Sequence, residues 1–330
     1  MPAEWEPHEA TWIAWPHNEE DWPGRFEPIP WIAGEIVRKL SKVERVRILV
    51  ETDEIAESAR RILRMAGAEM AAIDFYPQST DRIWTRDFAP LFVRSAAGEV
   101  AAVKWRFNGW AKYENHILDE AAGRAIPDMA GVPAWRPDCV LEGGSIDVNG
   151  AGMLLTTEEC LLSPIQARNP DLSREQIESR LSDYLGVDRV LWLRNGIAGD
   201  DTHGHIDDLA RFTDAASVVI VAEADTADAN YEPLRENREL LKQYPVRVRE
   251  LPMPAPLYFD GQRLPASYAN FYIANRTVLV PVFNDPNDRV ALNVLAECFP
   301  GRQVIGINCV ELVWGLGTLH CMTQQQPAAG

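Results

Sequence analysis

The chain has 330 residues, 46% of them hydrophobic, enough to bury one large core or two ordinary ones. Acidic residues outnumber basic ones by 49 to 32, and the net charge of −17 repels nucleic acid and attracts small cations. No apolar run reaches the roughly 18 residues of a membrane span, and the opening MPAEWEPHEATWIAW has no basic segment followed by an apolar one, so a cytoplasmic protein with no membrane partner is expected.

The N-terminal region carries PWIAGEIVRKLSKVERVRILV and then DEIAESARRILRMAG, two helical patterns around a β-branched run. From there a unit recurs. Paired β-patterned runs about short turns occur in FAPLFVRSAAGEVAAVKWRF, GSIDVNGAGMLLTT, LARFTDAASVVIVAEA and NFYIANRTVLVPVF. Helical patterns follow near Tyr113, Ser173, Tyr231 and Pro286, at offsets of 60, 58 and 55 residues. Ser173 with Gln176 has the form of a capping box, and Gly186 that of a C-terminal stop. No linker or low-complexity tract divides the chain, so one domain over residues 1–330 is expected. A hairpin, helix and strand recurring about every 58 residues predicts a closed ring of α/β units, with the N-terminal region completing a fifth; an open α/β sheet is the alternative. The five cysteines are odd in number, widely spaced and without a CxxC pair, so reduced thiols are expected.

Four stretches place reactive groups where a plain core strand would not: DRIWTRDFAP, LEGGSIDVNG, GDDTHGHIDDLARF and the C-terminal GTLHCMTQQQP. If the third is extended, a period of two puts Asp201, His203, His205 and Asp207 on one face. Such groups are costly to bury unpaired and call for a substrate, a metal or one another. His203, His205, Asp207 and Cys321 are acceptable zinc ligands, which keeps a metallohydrolase in view. The metal-free reading is a Cys321 nucleophile with an imidazole acid/base and several carboxylates. Excess negative charge opposes an acyl oxyanion, whereas a guanidinium matches paired carboxylates and favours a nearby thiolate. His320, adjacent to Cys321, is expected to point away from it in an extended chain and to pack or hydrogen-bond instead.

Five ordered motifs carry a family resemblance: WxRDxxP from Trp84, FNGW from Phe107, EGG from Glu142, DTxGHxDxxARF from Asp201, and GxxHCxTQQQP ending at Pro327. Together they resemble the agmatine deiminases and bacterial peptidylarginine deiminase-like proteins of the guanidine-modifying, or pentein, superfamily, over essentially the whole chain. The resemblance implies a five-bladed α/β propeller of ββαβ-type repeats with pseudo-fivefold symmetry around a central active site. It also implies hydrolysis of a guanidinium to a ureido group without metal or other cofactor. By the same resemblance Cys321 is the nucleophile, His205 the general acid/base, Glu142 the carboxylate beside that histidine, and Asp87 with Asp207 the pair gripping the guanidinium. Ala89 stands where the family usually has glycine, and the segment after Trp110 is short, which bears on specificity.

Free or peptidyl arginine brings a carboxylate that calls for a cation, whereas agmatine brings an ammonium that calls for a carboxylate or an aromatic face. Asp201 is the expected ammonium partner, Trp84 and Trp110 are expected to flank the alkyl chain, and Arg86 is expected to be a structural ion-pair partner. Agmatine deimination to N-carbamoylputrescine is therefore the leading expectation, with a deiminase of peptidyl arginine or of another small guanidino compound, a non-catalytic guanidine binder, or a metallohydrolase as alternatives. The partner expected is a small cationic guanidine, and a homo-oligomer is compatible with the sequence.

Overall fold

Four times between Leu91 and Asn308 the chain makes an antiparallel hairpin, then a helix, then a strand parallel to the hairpin's second strand. The computed structural model describes residues 1–330. The first unit pairs Leu91–Arg94 with Val100–Val103 and, after the helix Ile117–Ala130, adds Ala134–Trp135. The second uses Asp147–Val148, Met153–Thr157, the helix Arg174–Leu185 and Arg189–Leu193. The third uses Ala210–Asp214, Ser217–Ala222, the helix Tyr231–Leu241 and Arg247–Pro252. The fourth uses Tyr272–Ile273, Thr277–Val282, the helix Asn287–Cys298 and Gln303–Asn308.

The remaining sheet is shared by the two ends of the chain. Gln324–Pro327 lies antiparallel to His8–Ala14, and Arg45–Val50 and Ile73–Pro77 extend that sheet in parallel. The helices Ile29–Leu40 and Asp53–Ala66 are the crossovers between these parallel strands. The glutamines of the tail are thereby fastened: Trp12 Nε1 donates to Gln326 Oε1 at 3.0 Å and Arg86 Nη1 to Gln325 Oε1 at 2.7 Å. A two-stranded ribbon, Tyr258–Phe259 with Gln262–Arg263, lies outside the repeat.

The local reasons for these elements are readable. Ser173 Oγ accepts from the Gln176 amide while the Gln176 side chain accepts from the Ser173 amide, and Gly186 ends the helix in the left-handed region at φ 67°. Thr52 caps Asp53–Ala66 through its hydroxyl, which accepts from the Ile55 amide, and Gly67 stops it at φ 78°. The central strands Ser217–Ala222 and Thr277–Val282 are buried on both sides, which is why they read as continuous apolar runs rather than alternating ones. No helix is long and apolar enough to cross a membrane.

The stretch from Asp201 to Asp207 departs from expectation. It is a turn followed by a short 3-10 helix at Ile206–Asp208, so the period of two does not apply. Asp200 is the cause: its carboxylate accepts from the backbone amides of Thr202, Gly204 and His205. His203 (φ 66°) and Gly204 (φ 89°) lie in the left-handed region and turn the chain back. The residues from Thr318 to Thr323 also form a turn rather than a strand, with Met322 N bonded to Thr318 O and Thr323 N to His320 O.

Candidate functional site

A cavity of about 320 Å³, within the usual size of small-molecule sites, opens between the units. Trp84, Asp87, Trp110, Asp201 and Cys321 all line it. His205, Glu142 and Asp207 sit behind these residues, each at most 1% exposed. His205 Nδ1 is 3.9 Å from Asp87 Oδ1 and 3.9 Å from Asp207 Oδ1, and Cys321 Sγ is 3.8 Å from Asp207 Oδ2. Glu142, Cys160 and His205 each bring one side-chain atom within 4.8 Å of the others.

These side chains come from several separate stretches of the chain. Asp87 lies in a single helical turn, Thr85–Phe88, where its Oδ1 accepts from the Gly144 amide at 2.9 Å and its Oδ2 from Trp110 Nε1 at 2.9 Å. Trp110 and Ala111 adopt positive φ values of 57° and 52°, uncommon for such residues and found where a function over-determines the backbone. Ala89 has φ −71°, which any residue accepts, so glycine is not needed there. The EGG motif has a steric basis: a Cβ on Gly144 would lie 2.6 Å from His205 Nδ1, 2.8 Å from Asp87 Oδ1 and 3.0 Å from Asp207 Oδ2.

The sulfur is held by a residue outside the sequence motifs. Asn270 Nδ2 donates to Cys321 Sγ at 3.1 Å and to Asp208 Oδ1 at 3.0 Å. Its Oδ1 collects Thr318 Oγ1 at 2.7 Å and the His320 amide at 3.0 Å, tying down the turn that carries the cysteine. Asn270 stands in a stretch that reads only as a strand end, so no local signal marks it. Glu142 likewise has a partner absent from the sequence reading: Arg168 Nε donates to its Oε1 at 3.0 Å, with both side chains fully buried.

His203 is not part of the cluster. Its Nε2 is 3.1 Å from Ser163 Oγ and its Nδ1 3.7 Å from Glu159, so the zinc set His203, His205, Asp207 and Cys321 does not assemble. The backbone reversal at His203 and Gly204 is the reason. The other metal-ligating grouping, Glu142, Cys160 and His205, already has the Arg168 guanidinium as its positive charge. His320, as expected, does not serve Cys321: its ring nitrogens reach Asp207 Oδ2 at 2.7 Å and Glu4 Oε2 at 2.8 Å. Arg86 is an ion-pair partner of Glu4 at 3.6 Å. Asp201 faces the cavity but is already engaged by Tyr113 Oη at 2.6 Å and Lys112 Nζ at 3.3 Å.

The electrostatics are set by buried carboxylates around one imidazole and one thiol. Burial pushes the Asp87 carboxyl up to about 6, with Asp207 and Glu142 adding to the shift and His205 and Trp110 opposing it. Burial would pull His205 down, but Asp87, Cys160 and Asp207 outweigh it and hold the imidazole well above its ordinary range. Burial would raise Asp207, yet the hydrogen bond and charge of His320, then His205 and Arg211, bring it below the usual carboxylate range. Burial raises the Cys321 thiol far above normal, and Asp207, Asp208 and Asp87 raise it further. Left alone, the sulfur keeps its proton. One oxygen of Asp207, one of Glu142 and both nitrogens of His205 are buried without a hydrogen-bond partner, a concentration that native interiors reserve for functional sites.

Comparison with known proteins accords with this arrangement. A family model described as Porphyromonas-type peptidyl-arginine deiminase matches residues 1–327. An agmatine deiminase of Pseudomonas aeruginosa is 36% identical over 359 aligned residues, covering 99% of this chain and 95% of that one. The structure of C. jejuni agmatine deiminase with substrate bound superposes at a TM-score of 0.92, with 31% identity, over 100% of this chain and 96% of that one. The structure of Enterococcus faecalis agmatine deiminase gives 0.92 and 34%, over 99% and 95%. With a shared fold, the pentein α/β architecture, and full-length similarity, the chain belongs to the Porphyromonas-type peptidyl-arginine deiminase family.

Proposed function

We propose that this chain hydrolyses agmatine to N-carbamoylputrescine and ammonia, as one domain over residues 1–330 in the cytoplasm. The observation that carries the reading is that Cys321 and Asp87 line one cavity, with Cys321 Sγ 3.8 Å from Asp207 and an unbonded His205 3.9 Å from both carboxylates. The names of the similar enzymes support the same substrate. Five free cysteines suit a reducing compartment, and a homo-oligomer is compatible with the proposal.

The guanidinium donates N–H bonds to Asp87 and Asp207 and brings the positive charge that the buried thiol lacks, so Cys321 gives its proton up to solvent once substrate is seated. The thiolate attacks the central carbon and a C–S bond forms. His205 donates a proton to one nitrogen, the C–N bond breaks and ammonia leaves, giving an amidino-cysteine. His205 then takes a proton from water as the water attacks; collapse of the adduct breaks the C–S bond, the sulfur leaves as a thiolate, and it takes the hydroxyl proton, giving the neutral ureido group and the Cys321 thiol. Glu142, fixed by Arg168, is the carboxylate beside His205, with one oxygen within 4.8 Å of the ring. Trp84, Trp110 and Asp201 line the same cavity as Cys321, which suits the tryptophans to the alkyl chain and Asp201 to an ammonium.

Arg82, the one cation lining the cavity, is committed to Asn115 through bonds of 2.7 and 2.9 Å and to Asp21 at 3.4 Å. With Glu20, Asp21 and Asp201 also on the wall, an ammonium tail is better matched than an α-carboxylate. The test is a panel of agmatine, arginine and an arginine peptide, assayed for ammonia and ureido product with and without a strong chelator. Agmatine turnover that survives the chelator and vanishes in Cys321→Ala is expected. Citrulline formed on the peptide with no agmatine turnover would replace agmatine with peptidyl arginine, and full activity in Cys321→Ala would sink the mechanism.

A further inference from the structure

His320 neighbours the nucleophile in sequence but is built into a different part of the machinery. Its two ring nitrogens lie 2.7 Å from Asp207 Oδ2 and 2.8 Å from Glu4 Oε2. The imidazole is thereby held at both ends, bridging the two carboxylates. Glu4 cannot shift to relax this arrangement. Its Oε2 also receives Arg211 Nη2 at 2.9 Å, and its Oε1 receives the Ile273 amide at 2.7 Å. Arg211 is pinned in turn by Asp147 Oδ1 at 2.9 Å and the Phe271 carbonyl at 2.8 Å. Every side chain from Asp147 to Asp207 along this path is at most 8% exposed.

The path ends asymmetrically. His320 occupies one oxygen of Asp207, and the other, Oδ1, is buried with no partner, 3.9 Å from His205 Nδ1. An ion cluster that served packing alone would not leave a carboxylate oxygen buried and unpaired at its end. We infer that Glu4 and His320 are positioning residues: the His320 ring, clamped by Glu4, fixes the plane of the Asp207 carboxylate so that Oδ1 is the atom offered to the guanidinium. The inference rests on the reading of Asp207 as a guanidinium ligand. It also gives the N-terminal turn a role in the site, since Glu4 and His320 are 316 residues apart in the chain.

The test uses the full-length protein with agmatine. Glu4→Gln, nearly isosteric, and His320→Leu should raise KM roughly tenfold or more, the scale of one charge-assisted hydrogen bond. The Kd measured by calorimetry in a Cys321→Ala background should rise in step. His320→Asn, whose amide nitrogen can stand where Nδ1 does, should recover most of the loss. Asn237→Ala removes a buried polar side chain that bonds the Arg194 amide and the Asn195 carbonyl, away from this path; it should lower Tm while leaving KM and Kd near wild type. The inference is overturned if KM and Kd of Glu4→Gln match wild type, or if Asn237→Ala raises them equally, since the effect would then be one of stability only. Should wild type turn over no guanidine at all, the functional reading fails instead; the Kd comparison then still reports on the positioning claim wherever agmatine binds.

Discussion

Replacing Gly144 with alanine adds one methyl group where the structure leaves it no room. The backbone of Gly144 lies outside the left-handed region, so the change introduces no conformational strain of its own. What the Cβ meets is the chemistry: His205 Nδ1 at 2.6 Å, Asp87 Oδ1 at 2.8 Å and Asp207 Oδ2 at 3.0 Å. To reach the 3.4 Å at which ordinary contact begins, the imidazole must retreat by about 0.8 Å and each carboxylate by about half as much or more. Asp87 can move only by stretching its 2.9 Å bonds to the Gly144 amide and Trp110 Nε1, and Asp207 only by leaving His320. Overpacking of this kind costs about 1–3 kcal/mol of stability. The catalytic loss should be larger in relative terms, because displacements near 1 Å at a reacting centre cost about a hundredfold in rate. We expect Gly144→Ala to fold, with Tm a few degrees lower, and to lose roughly a hundredfold in kcat/KM for agmatine by ammonia release. Activity within about twofold of wild type would refute the reasoning, since it would mean that Asp87, His205 and Asp207 need not hold their present positions.

Two further outcomes follow from buried charge. Arg168→Ala strips the partner from fully buried Glu142 and should destabilise the protein by about 3–5 kcal/mol in denaturant unfolding. Pairing Arg168→Met with Glu142→Gln should restore much of that stability but not activity, whereas an equal loss in the double variant would show that packing of Arg168, not its charge, matters. Asp119, buried, has its carboxyl pushed up to about 8 chiefly by that burial, against an ordinary value of 3.8. Its folded form therefore binds more protons than its unfolded form between these values, and stability falls as pH rises through that window. Asp119→Asn keeps an acceptor for the Asp81 and Arg82 amides, so its Tm relative to wild type should improve from pH 5 to pH 8; a difference independent of pH would contradict this.

The repeat was legible in the sequence because its signals are local. Turn residues, the Ser173 capping box and the apolar strands all act within a few residues of where they stand, and the hairpin turns near Ala97, Gly150, Ala215 and Asn275 sit between paired strands. The shared sheet of the two chain ends was harder to read. Gln324–Pro327 has no β-branched or aromatic residue, and it becomes a strand because His8–Ala14 offers an edge and Trp12 and Arg86 offer donors. The Asp201–Asp207 stretch misled for the opposite reason: alternating polar residues suggest an extended strand, but Asp200 supplies three acceptor contacts that make a turn cheaper. Asn270, Arg168 and Glu4 act only across tertiary distance and carry no motif. The grouping of Cys321, Asp87, Asp207, His205 and Glu142 was suggested by family resemblance and by chemical type, not by spacing.

The balance of charge around Cys321 explains why one recognition event can serve several steps of the proposed reaction. Asp87, Asp207 and Asp208 all raise the thiol, and the buried arginines are engaged elsewhere, Arg168 on Glu142, Arg211 on Glu4 and Asp147, and Arg86 on Gln325 and the His320 carbonyl. A neutral ligand therefore leaves the sulfur protonated and inert. A guanidinium satisfies the free oxygen of Asp207 and, by its charge, favours the thiolate that attacks it, so binding and activation are the same electrostatic event. The ureido product has lost that charge. With it go the hold of the two carboxylates and the stabilisation of the thiolate, so release of product and reprotonation of Cys321 are driven by the same imbalance that selected the substrate.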